Sequence, residues 1–491
     1  MFGECIFSYL ISEKEVLYPE LPQKYEFGKY TINADVRTPF ESFEMDGREC
    51  VIFGYAVDVL NGERCDLPKK ILEASVNIAD VVEYEKRLGG KYIVLYRDDT
   101  DTYILGDATT SIPVYYSVGT ESLVVTSNPE YICRMYGFVP DGKLQEIRDS
   151  GSISQAMPFD VTPYKEIKQL LPNHYFLFND NRAERFVNFN KKQNELSVEE
   201  ATAKAMPMIQ NIADMYMSEF DINCPITSGR DSRVVLAFLQ SATDGNVKSY
   251  TIRHKEHKGT EQDLTVPVEL AKVSPMLYEQ IFDVDVPDEV KNDADLIFGK
   301  GKYSERTLEI AYTVKSRYGD GAIINGDIIG QVGKCSLHRD IPSMLATAGY
   351  FRCKLHNYSG YAKKYLNKWL KEIKNSGEKV NTFDLFSVES RMGRWAGKEN
   401  LIYNTLGQAY LNIFNSRSII YTWTAVARDE RKNSVLHCAL IEKKSPCLLE
   451  IPFSKSKSTI VNVSKSNGVF YYLSSYSKFY IEKAKFNKRR K

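Results

Sequence analysis

The spacing of apolar residues changes near residue 190, and this change constrains the fold more than any other feature of the sequence. Before it, short runs rich in β-branched and aromatic residues alternate with turn-forming residues, a pattern typical of antiparallel strands. The runs that we predict as strands are Cys50–Val57, Lys91–Tyr96, Thr102–Leu105, Val114–Tyr116 and Tyr175–Phe178. This part of the chain therefore predicts an antiparallel β-sheet domain.

After a polar link over residues 188–196, strand-like and helix-like segments alternate. A helix is predicted to begin after Ser197, because Ser197 and Glu200 can form a capping box, and Pro207 is predicted to kink this helix. The segments that follow are strand Ile222–Ile226, helix Arg233–Leu239, strand Val247–Ile252, a helix from about Glu261 to Lys272, and strand Ala322–Ile324. This order predicts a parallel sheet flanked by helices, with a ligand site at the carboxyl ends of the strands. From about residue 340 the chain is predicted to be mainly helical.

Charge and apolar content exclude two classes of partner. The 491 residues include 64 Lys and Arg and 64 Asp and Glu, so the formal net charge is zero, whereas proteins that coat nucleic acid carry excess positive charge. No apolar stretch approaches the roughly 18 residues of a membrane-spanning helix, and the N-terminus lacks a secretory pattern. We therefore expect a cytoplasmic protein of two or three domains, without a nucleic-acid or membrane partner. The sequence leaves the oligomeric state open, a homodimer included.

The turn Thr227–Ser232, between a predicted strand and a predicted helix, is the candidate functional site. A turn of small residues before a helix directs backbone N–H groups and the positive end of the helix dipole at one point, which suits a phosphate or pyrophosphate. Asp231 would repel a bare phosphate, but a Mg²⁺ ion between them would make the pair favourable. On these six residues alone, an ordinary strand-to-helix turn capped by Ser and Asp is an equally good interpretation.

The turn resembles the Ser-Gly-Gly-x-Asp-Ser pyrophosphate loop of ATP pyrophosphatases, and its surroundings resemble the asparagine synthetase family. Further segments similar to that family follow in the same order along almost the whole chain. They are Met1–Gly3, Leu88–Tyr96, Gly106–Asp107, Ile112–Tyr116, Thr126–Ser127, Leu171–Tyr175, Asp263–Ala271 and Ile324–Gly333. This conserved order is more specific than any one motif.

The resemblance implies two domains and an ATP-dependent ligase. Residues 1–190 would form a glutaminase-like antiparallel β sandwich of the N-terminal-nucleophile type, and residues 197–491 an ATP-pyrophosphatase domain with a parallel sheet and a helical C-terminal part. The enzyme would activate a small-molecule carboxylate as an acyl-adenylate, release pyrophosphate, and form an amide with ammonia or an amine, as in asparagine biosynthesis. ATP and Mg²⁺ are the implied cofactors.

The resemblance also implies the roles of individual residues. Thr227, Ser228, Gly229 and Ser232 would bind pyrophosphate, and Asp231 would bind magnesium. The backbone of Tyr250, Thr251 and Ile252 would bind adenine. Asp327 would be a second magnesium ligand or a catalytic acidic group, and Lys455, with Lys457 as the alternative, would be the catalytic lysine that neutralises pyrophosphate.

The sequence also departs from the family pattern. Phe2 stands where the glutaminase has its cysteine nucleophile, and Cys5 is not an equivalent position, so we expect the first domain to be non-catalytic. Ser228 replaces a glycine, and its Cβ would crowd a phosphate if φ were positive there. Arg230 and Arg233 add positive charge, although a solvent-facing helix position is the commoner outcome for Arg233.

We therefore hypothesise an AMP-forming carbon–nitrogen ligase whose first domain lacks glutaminase activity. One alternative is a catalytically silent relative that binds a nucleotide or a partner, suggested by the shortened segment 325–330, which lacks one of the family's acidic groups. The other is a glutamine-hydrolysing asparagine synthetase with an unforeseen nucleophile. The acid and amine substrates are not determined by the sequence.

Overall fold

Two antiparallel sheets and one parallel sheet form the framework of the protein. The computed structural model describes residues 5–14, 16–151, 157–187, 195–242, 247–253, 261–298, 303–335, 341–453 and 468–489. Both antiparallel sheets lie before residue 190 and the parallel sheet lies after it, as the change in apolar pattern predicts. The domain boundaries 1–190 and 197–491 stay predictions.

The first antiparallel sheet has six strands. They are β1 (Tyr9–Ser12), β2 (Gln23–Phe27), β3 (Tyr30–Ala34), β8 (Tyr115–Ser117), β9 (Val124–Thr126) and β10 (Ile167–Gln169). Their order across the sheet is β10-β8-β9-β1-β3-β2. The predicted strand Val114–Tyr116 therefore exists but is shifted by one residue.

The second antiparallel sheet also has six strands. They are β4 (Phe40–Met45), β5 (Arg48–Asp58), β6 (Leu88–Arg97), β7 (Thr102–Gly106), β11 (His174–Leu177) and β12 (Arg182–Arg185), in the order β12-β11-β7-β6-β5-β4. The two longest strands, β5 and β6, pair over their whole length. Four short helices accompany the two sheets: α1 (Leu67–Ala74), α2 (Ile78–Glu85), α3 (Pro129–Tyr136) and α4 (Gly142–Asp149).

The two antiparallel sheets pack face to face through aromatic and aliphatic side chains. The ring centroid of Tyr9 on the first sheet lies 5.7 Å from that of Phe53 on the second, and Tyr30 lies 4.9 Å from Phe178. Inward-facing residues alternate along the strands with residues on the outer faces, as strand geometry requires. The predicted β sandwich is confirmed.

The parallel sheet has the strand order β15-β14-β13-β16-β17. Its strands are β13 (Ile222–Pro225), β14 (Val247–Arg253), β15 (Met276–Phe282), β16 (Ala322–Ile324) and β17 (Ala409–Leu411). All pairs between neighbouring strands are parallel. The three strands that the sequence predicts here are present, and β13 lies between β14 and β16, so the loops after these strands meet at one edge.

Helices surround the parallel sheet and form the C-terminal part. They are α5 (Val198–Glu219), α6 (Arg230–Ala242), α7 (Glu261–Val273), α8 (Asp288–Phe298), α9 (Glu305–Tyr318), α10 (Ala348–Lys354), α11 (Ala362–Ser376), α12 (Thr382–Phe386), α13 (Gly397–Thr405), α14 (Arg417–Thr424), α15 (Arg428–Lys432), α16 (Val435–Lys444) and α17 (Gly468–Arg489). Two π-helical segments, Ile329–Gly333 and Ser387–Ala396, interrupt this pattern. Within the described ranges, no helix combines the length and apolar character needed to cross a bilayer.

Local signals in the sequence set several of these helix boundaries. The capping box is present at the start of α5: Ser197 Oγ accepts from the Glu200 N–H, and the Glu200 carboxylate accepts from the Ser197 N–H. Pro207 lies inside α5, which continues to Glu219. Helix α6 begins at Arg230, three residues earlier than predicted, so Arg230 and Asp231 belong to its first turn.

A buried ion pair joins the sandwich to the helical part of the chain. Arg185 at the end of β12 donates from Nη1 and Nη2 to the two carboxylate oxygens of Glu389, each at 2.7 Å. Glu389 is fully buried and also accepts from Trp369 Nε1 at 2.6 Å and from Asn173 Nδ2 at 2.8 Å. Four donors therefore satisfy this carboxylate, which makes its burial tolerable.

We expect Arg185→Met to lower the free energy of unfolding by about 3–5 kcal/mol, because it leaves the buried Glu389 carboxylate without its cation. Adding Glu389→Gln to this variant removes the unpaired charge and should restore part of the loss. Chemical denaturation of both variants measures this difference. Arg182→Met is the matched control, since Arg182 pairs with Asp180 at the surface and should contribute less than about 1 kcal/mol. Equal losses for the Arg185 and Arg182 single variants would contradict the assignment.

Candidate functional site

The turn from Thr227 to Ser232 joins β13 to α6 at the carboxyl edge of the parallel sheet. Its own hydroxyl groups fix its shape. The Thr227 N–H donates to Ser232 Oγ at 3.2 Å, and the Gly229 N–H donates to Thr227 Oγ1 at 3.3 Å. Thr227 is exposed, and Gly229 and Ser232 are partly exposed, so these three residues present the open face of the turn.

Ser228 faces the opposite way from Thr227. It is buried, and both its N–H and its hydroxyl donate to Oδ1 of Asp263 in the first turn of α7, the N–H at 3.2 Å. Its φ is not among the left-handed values of the chain, so the Cβ that replaces a glycine hydrogen is not strained. The Ser228 side chain therefore anchors the turn to α7, and its predicted role in pyrophosphate binding remains untested.

Arg233 is fully buried, which corrects the expectation of a solvent-facing residue. Its guanidinium donates to four backbone carbonyls, those of Ser228 in the turn and of Leu448, Ile451 and Pro452 near the C-terminal end, at 2.6–3.3 Å. The physical reason for its burial is this set of acceptors, which the order of residues along the chain does not reveal. Arg233 thereby joins the turn to the segment that precedes residue 454.

Positive charge concentrates beside the turn. The guanidinium groups of Arg230 and Arg233 lie 4.2 and 4.3 Å from the ring centroid of Phe453, and neither forms an ion pair with a carboxylate in the described part of the chain. Burial lowers the pKa of Arg233 to about 10, and the charge of Arg230 adds to this effect. Two cations next to a helix N-terminus favour an anion at this place.

Asp231 lies at the centre of a cluster of charged side chains, and the cation of Lys334 neutralises its carboxylate. Its Oδ1 lies 2.5 Å from Lys334 Nζ and 3.1 Å from Nε2 of the buried His437. Burial acts to raise the pKa of Asp231, but the contact with His437 and the charge of Lys334 outweigh it, so this pKa is lowered. Burial lowers the pKa of His437. Asp231 is therefore a carboxylate paired with the Lys334 cation.

The segment after β16 folds over Asp231 because two glycines allow it. A Cβ at Gly330 would lie 2.8 Å from Asp231 Oδ2, and a Cβ at Gly326 would lie 3.0 Å from the Asp231 backbone. The segment then forms the π-helical turn Ile329–Gly333, a conformation that is frequent at functional sites. Close packing of this segment brings the residue between these glycines, Asp327, to the same edge of the sheet.

Asp327 is partly exposed and accepts a hydrogen bond from Tyr410 Oη at 3.3 Å through Oδ2. Burial raises the pKa of Asp327 to about 6, and the negative charge of Asp231 adds to this rise. The hydrogen bond from Tyr410 acts in the opposite direction and lowers the pKa, but its effect is smaller than that of burial. The structure thus brings Asp231 and Asp327 close enough to influence each other.

The arrangement around Asp231 does not fit a resident magnesium ion. The ammonium group of Lys334 contacts Oδ1 of the Asp231 carboxylate, and a second cation at the same carboxylate would be repelled by it. Among the described residues, no group of three or more His, Cys, Asp or Glu side chains is placed to hold a metal. The charge that the sequence assigns to Mg²⁺ is supplied here by Lys334.

The residues predicted to bind adenine lie next to the turn. Tyr250, Thr251 and Ile252 belong to β14, and the Tyr250 carbonyl accepts from the Ile226 N–H at 2.9 Å while Thr251 Oγ1 donates to the Ile226 carbonyl at 2.7 Å. Tyr250 and Thr251 are buried, and Ile252 is partly buried. The Tyr250 carbonyl is thus already used, whereas a role for the remaining backbone groups stays a prediction.

Three predicted positions lie outside the described residues, namely Phe2, Lys455 and the alternative Lys457. Cys5, the nearest thiol to the N-terminus, is buried, and burial raises its pKa to about 12, with the charges of Asp35 and Glu20 adding to the rise. A thiol with such a pKa is protonated at neutral pH and is a poor nucleophile. Cys5 therefore does not provide the unforeseen nucleophile of the glutamine-hydrolysing alternative.

Sequence reasoning missed Lys91, which lies on β6 of the sandwich and reaches the carboxyl edge of the parallel sheet. Its Nζ donates to the carbonyl of Tyr410 in β17 at 3.1 Å and to Oδ1 of Asn404 at 3.3 Å. Gly90 precedes it with φ of 131°, and a Cβ there would lie 2.2 Å from the Tyr55 carbonyl oxygen. A lysine within an otherwise apolar strand was the available signal.

Burial lowers the pKa of the Lys91 amine to about 7, against the charge of Asp107, which raises it. In the unfolded chain this lysine keeps its proton to about pH 10.4. The unfolded state therefore binds more protons than the folded state between these values, and folding stability rises with pH.

The quantity to compare is the free energy of unfolding of the unmodified protein minus that of Lys91→Met. We expect this difference to rise by roughly 2–3 kcal/mol between pH 6 and pH 9. Denaturant unfolding at several pH values measures this difference. Lys248→Met is the control, because Lys248 is exposed and pairs with Asp221 at the surface. A difference between protein and Lys91→Met that stays constant with pH would show that Lys91 remains charged.

Comparisons with known proteins do not assign a family to the chain. No protein-family profile and no curated protein matches it. Among solved structures, it is distantly similar to a glutamine phosphoribosylpyrophosphate (PRPP) amidotransferase from B. subtilis complexed with ADP and GMP. The TM-score is 0.24 at 10% identity, covering 69% of this chain and 72% of that one. A structure described as the allosteric regulatory enzyme of purine biosynthesis gives a TM-score of 0.26 at 10% identity, covering 62% and 74%.

Proposed function

We propose that the protein is an ATP-dependent ligase that activates a carboxylate as an acyl-adenylate and joins it to an amine. The observation that carries this proposal is the positive charge at the start of α6, where Arg230 and the buried Arg233 have no carboxylate partner among the described residues. A buried cation without a counter-charge is costly unless an anion binds beside it. The turn Thr227–Ser232 offers the N–H groups and hydroxyls that a pyrophosphate requires.

In the first step, a carboxylate oxygen of the substrate attacks the α-phosphorus of ATP. A C–O–P link forms, the bond from the α-phosphorus to the bridging oxygen breaks, and pyrophosphate leaves with the electron pair. Arg230, Arg233 and the first amides of α6 stabilise the negative charge on the leaving pyrophosphate. Lys455, which follows Phe453 by two residues, is the further cation that we propose for this group.

In the second step, an amine attacks the carbonyl carbon of the acyl-adenylate. A C–N bond forms, the C–O bond to the phosphate breaks, AMP leaves, and the nitrogen loses a proton. Asp327 lies at the same edge of the sheet as the turn and is the acidic group that we propose to hold the amine. No step is routed through magnesium, because Lys334 occupies its predicted place beside Asp231.

A second candidate is a protein that binds a nucleotide without turnover. The observation that favours it is the same ion pair, since Asp231 is neutralised by Lys334 within the chain. The two candidates differ in one measurable property: only the ligase exchanges pyrophosphate into ATP in the presence of its carboxylate.

We expect ATP–pyrophosphate exchange with at least one acid from a screen of amino acids, aspartate and uronic acids. Asp231→Asn should reduce this exchange by roughly 100-fold or more, because the change removes the partner that positions Lys334 beside the turn. Asp221→Asn is the control, since Asp221 is exposed before β13, at the opposite end of the strand. Calorimetric titration with ATP shows whether binding persists.

The outcomes separate the candidates. Exchange that is lost in Asp231→Asn and kept in Asp221→Asn supports the ligase. ATP binding without exchange for any acid supports the nucleotide-binding protein, and neither binding nor exchange overturns both. Exchange that survives Asp231→Asn contradicts the role of Asp231.

A further inference from the structure

A small polar cavity lies between the sandwich and the carboxyl edge of the parallel sheet. Its volume is about 20 Å³, which is enough for one group the size of water or ammonia. The residues on its wall that matter here are Lys91, Asn325, Asp327, Asn400, Tyr410 and Asn412. The cavity therefore lies directly beside the acidic group that we propose to hold the amine.

One buried amide on the wall of this cavity, and another that contacts its lysine, each have an atom without a hydrogen-bond partner among the described residues. Asn400 is 7% exposed, and its Oδ1 has no hydrogen-bond partner among the described residues. Asn404 is fully buried, and its Nδ2 has none, although its Oδ1 accepts from Lys91. Buried polar atoms without partners are rare in native proteins and point to a bound polar group. An acceptor oxygen on the cavity wall suits a guest that donates hydrogen bonds.

Among the described residues, Lys91 is the only lysine on the wall of this cavity, and it comes from the sandwich rather than from the parallel-sheet part of the chain. Its Nζ lies 4.6 Å from the ring centroid of Phe7 on one side and donates to the Tyr410 carbonyl on the other. The titratable groups that face it are Asp107 beyond β7 and, across the cavity, Asp327 and the Tyr410 hydroxyl. Tyr410 also donates to Asp327, so one tyrosine links the lysine to the carboxylate.

We propose that this cavity binds the nitrogen of the attacking amine, either ammonia or the terminal amino group of a larger substrate, and that Lys91 accepts the proton which that nitrogen must lose. The inference rests on the proposed ligase function and adds to it a catalytic residue from the sandwich. It gives the first part of the chain a chemical role that does not require a cysteine nucleophile.

The proton balance of the step is as follows. A substrate ammonium group enters the cavity and donates hydrogen bonds to Asp327 and to Oδ1 of Asn400. It transfers one proton to the neutral Nζ of Lys91, and the free electron pair of the nitrogen attacks the acyl carbon as AMP leaves with the electron pair of the C–O bond. The nitrogen, positively charged after the attack, passes its second proton to the Asp327 carboxylate, which gives the neutral amide. The neutral form of Lys91 is available near neutral pH because burial lowers the pKa of this amine to about 7.

The test compares two nucleophiles in Lys91→Met, with a carboxylate found by the exchange screen. Ammonium and methylamine are largely protonated at pH 7.5 and need a base, whereas hydroxylamine is largely unprotonated and does not. In Lys91→Met, we expect the rate of amide formation, divided by the rate of ATP–pyrophosphate exchange, to fall by about 100-fold or more with ammonium and methylamine. The rate of hydroxamate formation from hydroxylamine should be unchanged. Product with ammonium in the unmodified protein identifies ammonia as the source, and product with methylamine alone identifies a substrate amine.

Lys354→Met is the matched control, because Lys354 is another largely enclosed lysine whose pKa burial lowers, but it contacts Tyr471 and Ser475 and does not line the cavity. Lys91→Gln, which keeps a donor toward the Tyr410 carbonyl, replaces Lys91→Met if that variant fails to fold. The role of Lys91 is overturned if its variants still form the amide, or if they lose hydroxamate formation together with amide formation. In either case the proposed ligase function stands as long as ATP–pyrophosphate exchange is observed. Absence of exchange in every protein overturns the ligase and this inference together.

Discussion

The buried guanidinium of Arg233 is the group on which the geometry of the candidate site depends. It bonds to the turn after β13 through Ser228 and to the chain at Leu448, Ile451 and Pro452, which are more than 200 residues away in sequence. All four acceptors are carbonyl groups, so they bind the two terminal nitrogens of the guanidinium without cancelling its charge. The turn is thereby fixed in shape and kept electropositive, which are the two properties that an anion site needs.

Electrostatics divides the carboxyl edge of the parallel sheet into two regions. Beside the turn, Lys334 pairs with the Asp231 carboxylate, and the guanidinium groups of Arg230 and Arg233 lie against the ring of Phe453. On the other side of Asp231, the segment after β16 places Asp327 next to polar, largely uncharged groups, and burial raises the pKa of that carboxyl to about 6. An anionic nucleotide tail and a cationic amine would therefore find suitable surroundings at opposite sides of one short stretch of chain.

The sandwich and the parallel-sheet part meet through polar contacts as well as through apolar packing. The Arg185–Glu389 pair lies at one place in this contact, and Lys91 with Asn404 and Tyr410 lies at another. Because buried polar groups require partners of fixed geometry, such contacts hold the two parts in one orientation. The sandwich in this way contributes side chains to the edge of the neighbouring parallel sheet.

Local patterns in the sequence were sufficient for the position of the turn and for the strand and helix on either side of it, although strands such as β15 and β17 of the parallel sheet were not predicted. The β-type runs, the Ser197–Glu200 capping box and the strand–turn–helix order around residues 222–239 depend on neighbours within a few residues, and the sandwich and parallel sheet follow from them. The resemblance to a known family singled out Asp231 and Asp327, and the fold brings them to the same edge of the sheet. Their roles remain predictions.

Only the tertiary structure decided how these residues are partnered. The burial of Arg233, the pairing of Asp231 with Lys334 and His437, and the arrival of Lys91 beside Tyr410 all join residues that are about 100 to more than 300 positions apart. A side chain's charge state and accessibility depend on what surrounds it in space, and a single sequence does not specify which distant segments those neighbours come from. The sequence thus determined where the candidate turn lies, and long-range packing determined the charges around it.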